Sequence, residues 1–377
     1  MTPAEPRVHF RRMRILITCS LVLLACPGPA PTPTDGGIDA GTSTGTFCEL
    51  PPVFIENVTS CQPRATDYTP RVSNSSTDTW AACISDNNTF TPINPNISSI
   101  ARITAFEDIA TLLWRDGVLP TPQAFVDARV AYAIDQGLDS RVQRREDTHY
   151  PAASAACSTA GIPAQFPDRC AGPIKLLPIL NDAFAKGATG ETPRVHAARI
   201  EAALVWFLYL SSLSEVVSCT TKPQDCDSCW AYYAGGTTRD APLGLAKRVR
   251  ALGRETHDRA YDATLAVRCW RNLDNETTVA TDLARRDLAF AQLDQALLRG
   301  VALVLRQQVA ELSCTTGEVR DARFAFFKTL APWFDRAARE RSVANADLVA
   351  REAGKASAAE VDVSAVTAAL DALFPCP

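Results

Sequence analysis

From Ser98 onward, apolar residues recur in steps of three and four, the period of a helix with one buried face. In "SSIARITAFEDIATLLW", Ile100, Ile103, Phe106, Ala110, Leu113 and Trp114 keep that step, and Gly117 and Pro120 stop it. "TPQAFVDARVAYAIDQGLDSRV" predicts a second helix, with Thr121 as N-cap and Pro122 at the first position. "ETPRVHAARIEAALVWFLYLSSLSEVV" is apolar nearly all round between Ala202 and Leu213, which predicts a central, buried helix. "DAPLGLAKRVRALGRETHDRAYDATLAVRCW" reads as one helix capped by Asp240, with Pro242 in its first turn. "TDLARRDLAFAQLDQALLRGVALVLRQQVAEL" carries Phe290, Leu293, Leu297, Val301 and Val304 on one face. "GEVRDARFAFFKTLAPWFDRAARE" carries Phe327, Leu330 and Phe334, with a kink expected at Pro332. Two short helices near "NADLVAREA" and "VSAVTAALDALF" follow. No strand alternation occurs after Ser98, so the fold class expected for residues 97–377 is all-α, a multi-helix bundle.

The first hundred residues break this period. "RRMRILITCSLVLLAC" pairs a basic start with an apolar core too short to span a membrane, so residues 1–25 read as a signal peptide. Leu23-Leu24-Ala25-Cys26 resembles a bacterial lipobox, which implies a lipid on Cys26 and attachment to the membrane through it. No aspartate follows Cys26, which by analogy with sorted lipoproteins favours the outer membrane. Residues 26–47 are rich in Pro, Thr and Gly and lack an apolar period, so they read as a flexible tether. Residues 48–96, rich in Asn, Thr, Ser and Pro with three cysteines, read as an irregular segment pinned by disulfides.

Cysteine usage agrees with export. Thirteen cysteines occur; Cys19 in the leader and Cys26 at the lipid leave 11, an odd number, in the body of the chain. Cys226-Asp227-Ser228-Cys229 has the spacing of redox and zinc sites. No second CxxC supplies further zinc ligands and no βαβ pattern surrounds it, so a structural disulfide is expected. Cys219 with Cys226 or Cys229 would close "TTKPQD", and Cys157 with Cys170 would close "STAGIPAQFPDR".

The formal net charge of −4 leaves no basic excess for nucleic acid. There is no HExxH, GxSxG, phosphate-binding glycine loop or dinucleotide fingerprint, and the four histidines include His9 in the leader. The chain therefore reads as a non-enzymatic protein. Glu146-Asp147-Thr148-His149 has the Glu-x-x-His step of di-iron helices but occurs once, which excludes a ferritin-like centre. His149 and His196 are expected at the surface.

"DSCWAYYAGG" predicts a two-turn helix with Asp227 as N-cap, Trp230 and Tyr233 on one side and a left-handed stop at Gly235. "WAYYAGG" resembles the tryptophan–aromatic–glycine motif of the algal iron-assimilating proteins, secreted under low iron, and of their bacterial relatives. The order of segments over Ser98 to Arg341 resembles that family too, from "SIARITAFEDIATLLW" through "RIEAALVWFLYLSSLSEV" to "ARFAFFKTLAPWF". The resemblance implies an all-α extracytoplasmic protein that binds or concentrates iron for uptake, with an uptake partner of unknown identity.

Candidate oxygen ligands for a ferric ion exist. Glu255, Asp258 and Asp262 fall at i, i+3 and i+7, so three carboxylates share one helix face, and His257 lies beside them. Glu201 is the one acidic residue in the first turns of an apolar helix and needs a partner, either a metal or an arginine such as Arg248 or Arg268. The alternative reading is ordinary ion pairing, Glu255 with Arg259 and Arg254 with Asp258, in a helical scaffold or interaction lipoprotein without metal.

Overall fold

A computed structural model describes residues 62–71, 78–134 and 137–376. The signal peptide, Cys26 and the tether lie outside the described residues. Thirteen α-helices and no strand occur among the described residues, so the chain is all-α: α1 Ser99–Leu113, α2 Pro122–Ala133, α3 Asp139–Val142, α4 Ile162–Gln165, α5 Leu177–Ala188, α6 Pro193–Ser218, α7 Asp225–Ala234, α8 Gly244–Leu252, α9 Arg254–Leu273, α10 Leu283–Ala310, α11 Gly317–Arg341, α12 Val343–Ala353 and α13 Val363–Leu373.

The core is built around α6 and α10, which touch each other. Every residue of α6 from Ile200 to Leu213 is buried, as its all-round apolar sequence requires. Both helices are long and apolar enough to cross a membrane, but most of each is buried inside the domain. α11, α7 and α5 pack on α6, while α9 and α13 pack on α10. α8 crosses α10 at Gly300, where an added Cβ would stand 2.9 Å from Val249.

Two expected helices are broken. The second ends at Ala133, and α3 follows as a separate turn. The long segment from Asp240 divides at Gly253, whose extended backbone ends α8 and starts α9. α8 begins only at Gly244, so Asp240 caps nothing. α11 runs from Gly317 to Arg341 with Pro332 inside it.

The irregular segment ahead of α1 is held by specific groups rather than by period. The Tyr68 backbone N–H donates to Gln292 Oε1 of α10 and Gln292 Nε2 donates back to the Tyr68 carbonyl, each at 2.9 Å. Trp80 is 1 % exposed and donates to the Thr66 carbonyl. Cys83 is bonded to Cys269 of α9. Such a long-range link restricts the unfolded chain more than a short one does.

Cys157–Cys170 and Cys219–Cys226 form as the sequence suggests. Cys314 and Cys376 are also disulfide-bonded. Of the CxxC pair only Cys226 takes a structural disulfide, to Cys219; Cys229, also named as a disulfide candidate, is a free, buried thiol. The turn at Pro223 brings the first turn of α7 back to the end of α6, so Cys226 meets Cys219. Cys229, one turn later, faces the core, and burial pushes its thiol pKa up.

Candidate functional site

Helix α7 carries the aromatic motif. It begins at Asp225 with Gln224 as N-cap, three residues earlier than expected, so Asp227 is not its N-cap. The Asp227 carboxylate instead accepts from the backbone amides of Ile93 and Asn94, at 2.9 and 2.7 Å, and fixes the strap ahead of α1. Phe90 of that strap stacks on Trp230 with ring centroids 4.4 Å apart. Trp230 donates its indole N–H to the Thr237 carbonyl. Gly235 adopts φ +75° and closes the helix; an added Cβ would stand 2.6 Å from Leu243 Cβ.

Tyr233 points to His257 of α9, with its hydroxyl 3.0 Å from Nδ1. His257 Nε2 lies 2.8 Å from the Arg239 carbonyl. A carbonyl only accepts, so Nε2 carries the proton and Nδ1 accepts from Tyr233. Burial lowers the His257 pKa to about 4, which keeps the ring neutral. Neither ring nitrogen then has a lone pair left for a cation.

Arg239 dominates the acidic stripe. Its Nη2 is 2.5 Å from Asp262 and its Nη1 is 3.2 Å from Asp258. Asn88 accepts from the same guanidinium at 2.6 Å, and the Tyr261 ring lies under it at 4.5 Å. Arg254 reaches Asp258 at 3.9 Å, as the ion-pair alternative expects. Arg259 reaches Asp262 at 3.8 Å, in place of the Glu255 partner expected for it. Glu255 is half-buried on the same helix.

Glu201, only 3 % exposed, bonds Arg248 of α8. The pair sits in a cleft of about 540 Å³ whose apolar wall includes Phe106, Trp114 and Leu303. Three further guanidiniums line it. Arg115 pairs with Glu107 at 2.6 Å, Arg323 with Glu311 at 2.6 Å and Arg306 with Asp371 at 2.8 Å. Burial, then the charge of Arg323, lowers the pKa of Arg248.

The five residues named as metal ligands therefore do not converge. Glu201 answers Arg248, while Asp258 and Asp262 answer Arg239. Among the described residues, no group of three or more His, Cys, Asp or Glu side chains is arranged to hold a metal ion. No protein-family model, curated protein or solved structure matches the chain.

A second polar cluster was missed by sequence reasoning. His149 is not a surface residue. Its Nδ1 is 2.7 Å from Asp147 and its Nε2 is 3.2 Å from Asp294 of α10. Tyr209 of α6 donates to Asp294 at 2.6 Å. Burial alone would lower the His149 pKa; the two carboxylates outweigh it and raise the value to about 9. His196 is buried as well, and burial lowers its pKa. The local signal for the His149 cluster was Asp147, two residues before it. Asp294 lies 145 positions away and left no such trace.

Proposed function

We propose that this chain is a lipid-anchored lipoprotein of the cell envelope whose helical domain is a scaffold for interactions, without enzymatic chemistry and without a resident metal. The observation that carries this reading is the closure of the core carboxylates by arginine. Glu201 is bonded to Arg248, and Asp258 and Asp262 are both held by Arg239. A ferric ion entering either place would have to displace a guanidinium that already neutralises the site. It would also meet the uncompensated positive charge left behind.

The iron-uptake reading rests on the resemblance of "WAYYAGG" and on carboxylate spacing. The motif residues have structural employment instead: Trp230 stacks on Phe90, and Tyr233 fixes the tautomer of His257. Anchoring through Cys26 and placement in the outer membrane rest on the lipobox and the signal-like leader. The test is elemental analysis of the lipidated protein purified from envelopes without chelator. The scaffold reading expects iron far below one atom per chain. Stoichiometric iron that survives gel filtration would overturn it.

A further inference from the structure

A cavity of about 420 Å³ opens where the end of α6 and the starts of α7 and α1 face the segment that follows α3. Its lining is almost entirely polar. Four cations, Arg141, Arg144, Arg145 and Lys222, face three carboxylates, Glu215, Asp225 and Asp227. Asp227 is committed to the two strap amides. Arg102 stands behind the wall and adds a fifth cation, donating to the Ser99 hydroxyl at 3.2 Å. Ser99 in turn bonds Ser228 at 2.8 Å, so hydroxyls from two helix starts edge the cavity.

The arginines here are under-used. Arg145 is 5 % exposed, and its guanidinium lies over the rings of Phe207 and Tyr232 at 5.4 and 5.5 Å. Its Nε makes no hydrogen bond, and its Nη2 is 3.6 Å from Glu215, outside hydrogen-bond range. The buried Nε atoms of Arg141 and Arg102 have no hydrogen-bond partner either. A buried guanidinium donor without an acceptor is costly, and few are left so in a folded protein. Buried Arg268, by contrast, is closely answered, donating to the Thr91 carbonyl at 2.6 Å and to Glu276 at 2.8 Å, whereas Arg271 leaves Nε and Nη1 without a hydrogen-bond partner but lines no cavity of this kind.

We propose that this cavity binds the oxyanion of a hydroxylated phosphate ester, with Arg141 and Arg145 holding the phosphate and the serine hydroxyls holding the rest. Planar guanidinium forks match phosphate oxygens, and the N-terminal turns of α7 and α1 favour negative charge. The volume lies in the range of small-molecule sites and exceeds what a bare phosphate needs. Glu215 is the built-in competitor, the carboxylate nearest Arg145. The proposal does not depend on how the chain is anchored.

The test is calorimetric titration of the detergent-solubilised full-length protein with glycerol 3-phosphate, inorganic phosphate and glycerol. Saturable binding of glycerol 3-phosphate is expected, with weaker binding of inorganic phosphate and none of glycerol. Arg141→Gln and Arg145→Gln should each weaken it roughly tenfold or more, the worth of a hydrogen bond to a charged group. Glu215→Gln should strengthen it by removing the competitor. Arg141 lies nearer the surface, so its variant keeps the test decisive if Arg145→Gln fails to fold. Phosphatidylglycerol vesicles form a further arm: competition with glycerol 3-phosphate assigns the phosphate to a lipid headgroup, and its absence to a soluble ester. Two results would overturn the proposal: no binding of either phosphate by wild type or Glu215→Gln, or binding that Arg141→Gln leaves unchanged.

Discussion

Replacing Arg248 by Gln removes the cation from a carboxylate that is only 3 % exposed. Breaking a buried pair from one side costs roughly 3–5 kcal/mol, because the remaining charge stays in a poor solvent for it. The Arg248 side chain is 27 % exposed at the cleft mouth, so water can serve it when Glu201 is gone. Glu201→Gln should therefore cost less, roughly 1–2 kcal/mol. The double variant should cost less than the sum of the singles, with a coupling of about 2 kcal/mol. Urea denaturation at pH 7 with metal excluded reads these values, and unchanged slopes would show that the midpoints report stability. The opposite pattern refutes the reasoning. If Glu201→Gln raises stability and Arg248→Gln leaves it unchanged, Glu201 is a carboxylate awaiting a cation.

Other consequences follow from particular contacts. His149, with a pKa raised from 6.5 to about 9, contributes stability fully present below pH 6.5 and lost as pH rises through 9; roughly 3 kcal/mol is the upper bound. Melting midpoints across that window should fall in wild type, and His149→Gln should flatten the fall. Trp230→Ala removes the partner of Phe90 from a site 7 % exposed and should cost roughly 3–5 kcal/mol in denaturant melts, whereas a surface aromatic would cost far less. Cys26→Ala should abolish incorporation of labelled fatty acid and release or strand the protein unprocessed; unchanged label and membrane association would defeat the lipoprotein reading.

The helical class and the buried centre were legible because period and hydrophobicity act locally. The segment from Ala202 to Leu213 could belong only to a core helix, and α6 is buried there on every side. Helix ends were less legible. Asp240 and Asp227 have the chemistry of N-caps, but tertiary demand used Asp227 to hold the Ile93–Asn94 strap. The break at Gly253 was hidden because a single glycine is tolerated inside a helical stretch, and the polar run from Arg254 to Arg259 reads as a solvated helix face. The partners of the candidate metal ligands were hidden for a different reason. Spacing shows which carboxylates share a face but not which cation arrives opposite them, and Arg239 comes from the loop after α7. Arg248 was named among the possible partners of Glu201, and only the packing of α8 on α6 selects it over Arg268, which is spent on Thr91 and Glu276. The Asp147–His149–Asp294 cluster shows the same limit, since Asp294 comes from α10.

The central claim is that arginine, not metal, satisfies the core carboxylates. Calorimetric titration of chelated ferric iron into metal-free wild type, beside Glu201→Gln combined with Asp258→Asn, tests it most directly. The account predicts no saturable iron binding in either protein and lower stability in the double variant, in which Arg248 loses the Glu201 carboxylate and Arg239 keeps only Asp262 of its two. Stoichiometric iron binding by wild type that the double variant loses, with the metal-free variant as stable as wild type or more so, would contradict it.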